Sequence, residues 1–473
     1  MREKKMDFAK MLAILSQPKE ELPPLANVVR KTVEVPFITK DGQVKTGSFN
    51  LVMPENAPMP MSAVFVPHYP MGEDSVEMRS YLAEGWAVAS PVQFDPDYNA
   101  KLMDDDLVFN NAALYTLKRL PEIDADRVAL VGGSAGGYMT LMLSGLQLGT
   151  CCAIANGPIA NSYFNFFVSW PKENQLNQTA LVKLLAEKAA KGEANASDDK
   201  KEENPALAVM KSVMKLPIPF IAALSGGFVG DGSHFPAKED IARWEALTGV
   251  GVADCFSHPM MVNHNTSDIL VPVDQISKRF TYAVPGGSLP ADLDLHMPAD
   301  LPGKIRLSLE EALPAEKTRC ARIPVPENAP ETDLPYDAGK RFNINIFDDG
   351  APEGYGSHSA RMDVGRRLDI PYLKEQLAKG ASQTNALTPA MLKKLLLRYL
   401  GKDLSLPAHE GVDDAAYGSL VVYQKEVKAE LSDYAKHHGA DAVSAVFQAL
   451  CVSDSENQAD LAKAFSAVMT GII

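Results

Sequence analysis

Five consecutive residues, Gly132-Gly133-Ser134-Ala135-Gly136, carry the strongest chemical signal in this 473-residue chain. They fit the pattern G-x-S-x-G. They stand between an apolar run, Arg127-Val-Ala-Leu-Val131, and a stretch of helical composition, Ala135 to Leu148. A serine that attacks a carbonyl must project its oxygen from the end of a sheet, on a very tight strand-to-helix turn. Side chains at the flanking positions would collide there, which glycine avoids. The helix N-terminus adds a positive dipole, and the Ala135 N–H points to where charge develops on the attacked oxygen. The competing reading is a Gly-rich turn that binds phosphate or only packs. Neither the dinucleotide pattern G-x-G-x-x-G nor the spacing of a phosphate-loop lysine occurs in the stretch.

The longer phrase Leu120-Pro-Glu-Ile-Asp-Ala-Asp-Arg-Val-Ala-Leu-Val-Gly-Gly-Ser-Ala-Gly-Gly137 resembles the catalytic domain of the prolyl oligopeptidase family and related acyl esterases, within the α/β-hydrolase superfamily. The likeness covers roughly residues 30–160, with short islands near 260–280 and 342–365. It implies an α/β-hydrolase fold, a mostly parallel sheet with helices on both faces, and Ser134 as nucleophile. It does not imply a substrate. The β-propeller that screens peptides in prolyl oligopeptidases is not expected in the short stretch ahead of the core, which counts against a peptidase.

A serine hydroxyl is a poor nucleophile at its own pKa. It needs an imidazole to take its proton and a carboxylate to hold that imidazole. In this fold the chain order is Ser, then Asp or Glu, then His. Pro259 to Val262 reads as a strand that runs into a polar loop containing Asp268. Val271-Pro272 then leads into a helix expected over Val273 to Arg279. Asp268 is the candidate acid, with a plain turn or capping role as its alternative and Asp274 as the fallback carboxylate. The family phrase His-Gly-x-x-Asp-x-x-Val-Pro-x-x-Gln is met by His264, Asp268, Pro272 and Gln275, with Asn265 in the glycine's place. Of the nine histidines, His296, His358, His409, His437 and His438 follow Asp268. His358 comes after the strand Phe342 to Phe347 and a Gly-rich loop, where the family carries its base, with one extra serine in Gly356-Ser357-His358. It is the candidate base, against the alternative of a lone surface histidine.

The second oxyanion donor is expected from the loop after the strand Ala63 to Pro67. Pro70 has no N–H, so the backbone of Tyr69 is the candidate beside Ala135. His68, His258 and His264 lack the spacing of metal ligands. The aromatic run Asn161-Ser-Tyr-Phe-Asn-Phe-Phe-Val-Ser-Trp170 is read as cap core in preference to an acyl pocket. Met71, Tyr138 and Met139 are further candidate pocket walls.

These residues must be positioned by elements. A leader is read over 1–30, helical up to Pro23-Pro24. A hairpin with Asp41-Gly42 at its turn opens the first part of the core, 31–158, where short apolar strands alternate with helices as in a parallel sheet. Residues 159–250, with a helix near Thr179 to Ala190 and a charged run, read as a cap insertion. The acid strand and its helix occupy 251–282, an irregular Pro-rich insertion 283–340, and the His loop and last helix 341–385. A C-terminal helical subdomain, 386–473, has an apolar stripe of Leu420, Val427, Leu431 and Tyr434.

Composition sets the outer bounds. Hydrophobic residues make up 46% and charged residues 22%, as in ordinary folded proteins, and the net charge is −14. Such a surface repels phosphate and anionic lipid, so neither nucleic acid nor membrane is an expected partner. Five irregularly spaced cysteines and the absence of a secretion-type leader point to the cytoplasm. The resulting expectation is a serine hydrolase that cleaves a small-molecule ester or a short peptide, without cofactor or metal. Carboxylesterase comes first, oligopeptidase second, and a non-catalytic scaffold that kept the fold third. The C-terminal helices are the candidate surface for self-association.

Overall fold

The computed structural model describes residues 24–25, 27–92, 102–169, 236–266, 268, 271–280, 296–324, 336–348, 362–407, 419–454 and 457–470. The leader up to residue 23, the helix expected near 179–190 and His358 lie outside the described residues.

The two β-rich runs pair antiparallel as β1 (Val28–Ile38) and β2 (Val44–Pro54). Gly42 takes φ 80° in the turn between them, which a side chain would resist. Among the described residues seven strands follow: β3 (Met61–Phe65), β4 (Ala87–Pro91), β5 (Ile123–Gly133), β6 (Cys152–Asn156), β7 (Met260–Asn265), β8 (Thr318–Pro324) and β9 (Phe342–Asp348). All nine form one sheet of order β1-β2-β4-β3-β5-β6-β7-β9-β8. β2 meets β4 antiparallel, and each later neighbouring pair is parallel. An antiparallel opening hairpin, the exchange of β3 and β4, and then a parallel run make the α/β-hydrolase sheet, here with β8 added at its edge.

Every residue of β4, β6 and β7 is buried, because helices cover both faces. Helices α1 (Val76–Ala83) and α5 (Met362–Lys379) cover one face, burying Met78, Tyr81, Leu82, Tyr372, Leu373 and Leu377. Helices α2 (Asp105–Leu117) and α3 (Ala135–Ser144) cover the other, with Phe109, Leu114, Leu141 and Met142 at no exposure. The Ser75 side chain caps α1 by accepting the Met78 N–H, and Gly85 stops it with φ 82°.

Two expectations differ from the structure. The helix expected from Val273 to Arg279 is a single 3-10 turn, Val273–Gln275. The stretch read as an irregular insertion contains β8, paired with β9 along its whole length. Its prolines hid it: Pro324 ends an edge strand, where a missing N–H costs little.

The C-terminal helices α6 (Pro389–Tyr399), α7 (Ser419–His438), α8 (Ala440–Ser453) and α9 (Gln458–Met469) enclose their own core of Met391, Leu395, Val427, Leu431, Val443 and Leu461. They meet the sheet at the loop that enters β6. Lys118 Nζ donates to Leu148 O at 2.6 Å, the Leu148 N–H to Glu430 Oε2 at 2.6 Å, and Asn385 Nδ2 to Thr150 O at 2.7 Å. That loop lies at the N-terminal edge of the parallel strands. Ser134 and Asp268 lie beyond the C-terminal ends of β5 and β7, at the opposite edge.

Candidate active site

Ser134 stands between the last residue of β5 and the first of α3 with φ 55° and ψ −120°, a left-handed backbone that L side chains rarely adopt. Such a conformation costs on the order of 1–3 kcal/mol and persists only where the surroundings enforce it. Here the Ser134 N–H donates to Asn156 O at 2.8 Å, and Ser134 O accepts the Tyr138 N–H at 2.9 Å. Of the glycines around it, Gly132 is obligatory and Gly136 leaves little room for a side chain. A Cβ on Gly132 would lie 2.2 Å from Gly136 O and 2.6 Å from Thr140 Oγ1. One on Gly136 would lie 3.0 Å from Pro67 O and 3.5 Å from the Tyr69 ring. Ser134 is half-buried. Ala135 opens α3, where an N–H has no intrahelical acceptor.

The loop after β3 approaches the same point. His68 takes φ 73°, and the Tyr69 N–H donates to Pro67 O at 2.9 Å, which closes a γ-turn. The backbone donor expected from Tyr69 is therefore already spent. Its side chain faces Ser134 instead: the phenol and the Ser134 side chain are hydrogen-bonded. Burial of the hydroxyl raises the Tyr69 pKa, the Ser134 bond opposes the rise, and the Asp106 charge adds to it. The γ-turn and the phenol's contact were not legible in the sequence, which marks only Pro70 as lacking a donor.

Asp268 is fully buried beyond the end of β7, and its Oδ1 accepts the Val271 N–H at 2.9 Å. His264, also buried, braces the same loop by donating from Nε2 to Val271 O at 2.8 Å. The fallback carboxylate, Asp274, is engaged elsewhere, with His296 Nδ1 at 3.0 Å and the Met297 N–H at 3.1 Å. His258 sits between the Thr150 and Ser144 hydroxyls, at 3.1 and 3.0 Å, and His68 lies against Asp106. His68, His258 and His264 thus have separate partners.

A ladder of amides ties the strand ends together, and the sequence reading missed it. Asn156, Asn263 and Asn345 occupy one register level on β6, β7 and β9. Asn263 Nδ2 donates to Asn156 Oδ1 at 2.8 Å, Asn345 Nδ2 to Asn263 Oδ1 at 3.1 Å, and Arg319 from β8 to Asn345 Oδ1 at 2.9 Å. The residue whose carbonyl holds Ser134 is thereby linked to the strand that precedes Asp268 and to the strand that precedes the His358 loop.

The described part of the aromatic run, up to Ser169, packs as core. Tyr163 and Phe167 meet Trp244 of α4 (Ile241–Ala246) with ring centroids 5.7 and 5.3 Å apart, and Phe166 is buried beside them. Tyr138 and Met139, taken as candidate pocket walls, have no exposure. The Tyr138 hydroxyl donates to Leu247 O at 3.0 Å.

No protein-family profile matches the sequence, and no curated protein matches it. Solved structures similar to the chain include an acylaminoacyl peptidase from Pyrococcus horikoshii, with 13% identity and TM-score 0.41, covering 75% of this chain and 42% of that one. A puromycin hydrolase has 12% identity and TM-score 0.40, with 74% and 40% covered. Prolyl oligopeptidase B from Galerina marginata has 11% identity and TM-score 0.39, with 74% and 37% covered. The chain thus spans less than half the length of each of these structures.

Proposed function

We propose that the protein is a serine hydrolase that cleaves an ester or amide bond through an acyl-enzyme. The observation that carries this reading is the conformation of Ser134. An L residue held at φ 55° between a parallel strand and a helix, beside a Gly132 that admits no Cβ, is a costly arrangement whose effect is to present a hydroxyl at the sheet's edge. Ser134 attacks the carbonyl. His358 takes its proton and returns it to the leaving group, and Asp268 holds the imidazole. The Ala135 N–H and the Tyr69 phenol face the developing oxyanion.

Spacing supports the assignment. Neighbouring strands lie about 4.8 Å apart, so β7 is about 10 Å from β5 and β9 about 14 Å. His358 follows the end of β9 by ten residues, and a chain of that length reaches about 30 Å. No cofactor enters the scheme.

The bond class is read by turnover. Purified protein is offered short p-nitrophenyl esters and, in parallel, N-acylated and free dipeptide anilides, with Ser134→Ala as the control. Turnover of either class that the variant loses supports the reading. Anilide turnover makes the protein a peptidase, and ester turnover alone a carboxylesterase. Turnover equal in wild type and Ser134→Ala would remove the proposal.

A further inference from the structure

Near Ser134 lies a buried His–carboxylate pair that the reaction scheme does not use. His68 and Asp106 are essentially without exposure, and His68 Nδ1 lies 2.6 Å from Asp106 Oδ2. The His68 N–H donates to Asn110 Oδ1 at 3.0 Å. Asn110 Nδ2 in turn donates to Asp106 Oδ1 at 2.7 Å and Asp106 O at 2.8 Å. The first two turns of α2 thus grip both the ring and the backbone of one residue on the loop after β3. That residue is the one at φ 73°, and its ring meets the Tyr69 ring edge-on with centroids 4.2 Å apart. Tyr69 is itself 40% exposed, and the His68 ring packs against its ring.

We propose that Asp106, with Asn110, acts as a positioning residue through His68: it locks the left-handed γ-turn and the imidazole so that the Tyr69 phenol stays against Ser134. Two costs meet here. A histidine at positive φ in a γ-turn is strained, and a buried imidazole and carboxylate are expensive to desolvate. The ion pair and the Asn110 bonds together offset these costs. Removing the carboxylate charge loosens the ring, and a loosened ring frees the phenol. This inference rests on the hydrolase reading for its kinetic consequence, though not for its geometric one.

The test uses Asp106→Asn, Tyr69→Phe and the double variant. Where Asp106→Asn does not fold, His68→Asn takes its place: asparagine tolerates positive φ, so the turn survives while the ring is lost. On the substrate the wild type turns over, Tyr69→Phe lowers kcat by about a hundredfold or more with KM little changed. Asp106→Asn lowers it by about tenfold or more, and the double variant falls no further than Tyr69→Phe alone. Losses that multiply would overturn the inference. So would loss of fluorophosphonate labelling in His68→Asn with labelling kept in His358→Ala, because His68 would then be the base itself. The crystal structure of Asp106→Asn decides the geometry without any turnover. A phenol displaced from Ser134 supports the inference, and a phenol in place overturns it. A wild type that neither turns over nor labels would fail the hydrolase reading alone, and the phenol's place in that structure would still decide for or against the positioning role.

Discussion

At the scale of single residues, the proposed chemistry turns on backbone that side chains dislike. Ser134 at φ 55° is held by two hydrogen bonds to its own backbone and by neighbours that leave no room for a Cβ at 132 and little at 136. Ser134→Gly should therefore remove strain along with the hydroxyl. The expected outcome is a gain of about 1 kcal/mol in urea denaturation together with complete loss of turnover. A variant that is less stable than the wild type would show that the turn is unstrained. The glycine spacing made this turn legible from sequence, because the collision that glycine avoids is local. Tyr69 was legible only as a position. Which of its atoms faces Ser134 depends on a γ-turn at His68, and that turn depends on Asp106, which lies 38 residues away. Read alone, Asp104, Asp105 and Asp106 are only acidic residues at a helix start. The structure gives Asp105 Oδ1 the Lys40 N–H at 3.1 Å and gives Asp106 to His68.

At the scale of elements, strand–helix alternation disclosed the parallel core, since short apolar runs buried on both faces have few alternatives. Lateral order was beyond reach. Phe342-Asn-Ile-Asn-Ile-Phe and Met260-Met-Val-Asn each look like a strand with a stray amide, and only registration across β6, β7 and β9 joins the amides into a ladder. β8 escaped because edge strands tolerate the prolines that the sequence reading takes as punctuation. The ladder has a measurable consequence. Asn263→Leu takes the partner from Asn156 Oδ1 and from Asn345 Nδ2, at about 1–3 kcal/mol each, so a loss of about 2–6 kcal/mol in urea denaturation is expected. Because the same carbonyl-bearing residue, Asn156, holds the Ser134 N–H, kcat should also fall at temperatures where the variant is fully folded. Unchanged stability would mean that the ladder does not set the register.

At the scale of the whole molecule, the proposed chemistry and the C-terminal support occupy opposite edges of one sheet. The C-terminal helices seat on the loop entering β6, and His258 is buried in the same region, against Thr150 and Ser144. Burial first, with Arg341 and Lys118 adding positive charge, pushes the His258 pKa down to about 3. In the unfolded chain a histidine titrates near pH 6.5, so the folded state binds fewer protons below that value. The stability this group contributes is complete above about pH 6.5 and is lost as pH falls toward 3, by up to about 1.4 kcal/mol per pH unit. Urea midpoints taken from pH 7 to pH 4.5 should fall more steeply for the wild type than for His258→Asn, and equal slopes would show that His258 does not set the acid sensitivity. The helical stripe itself was readable from its period, and Val427 and Leu431 prove fully buried within the C-terminal helices. The edge of the sheet they seat on depends on contacts that no single segment encodes. Above all, Ser134 is held to be a nucleophile made reactive by its place in this sheet. The most direct measurement is the intact mass of the protein after a fluorophosphonate, followed by peptide mapping of the adduct. One adduct per chain is predicted, on Ser134, and none on Ser134→Ala. A folded wild type that gains no mass, or gains it on another residue, would contradict that role.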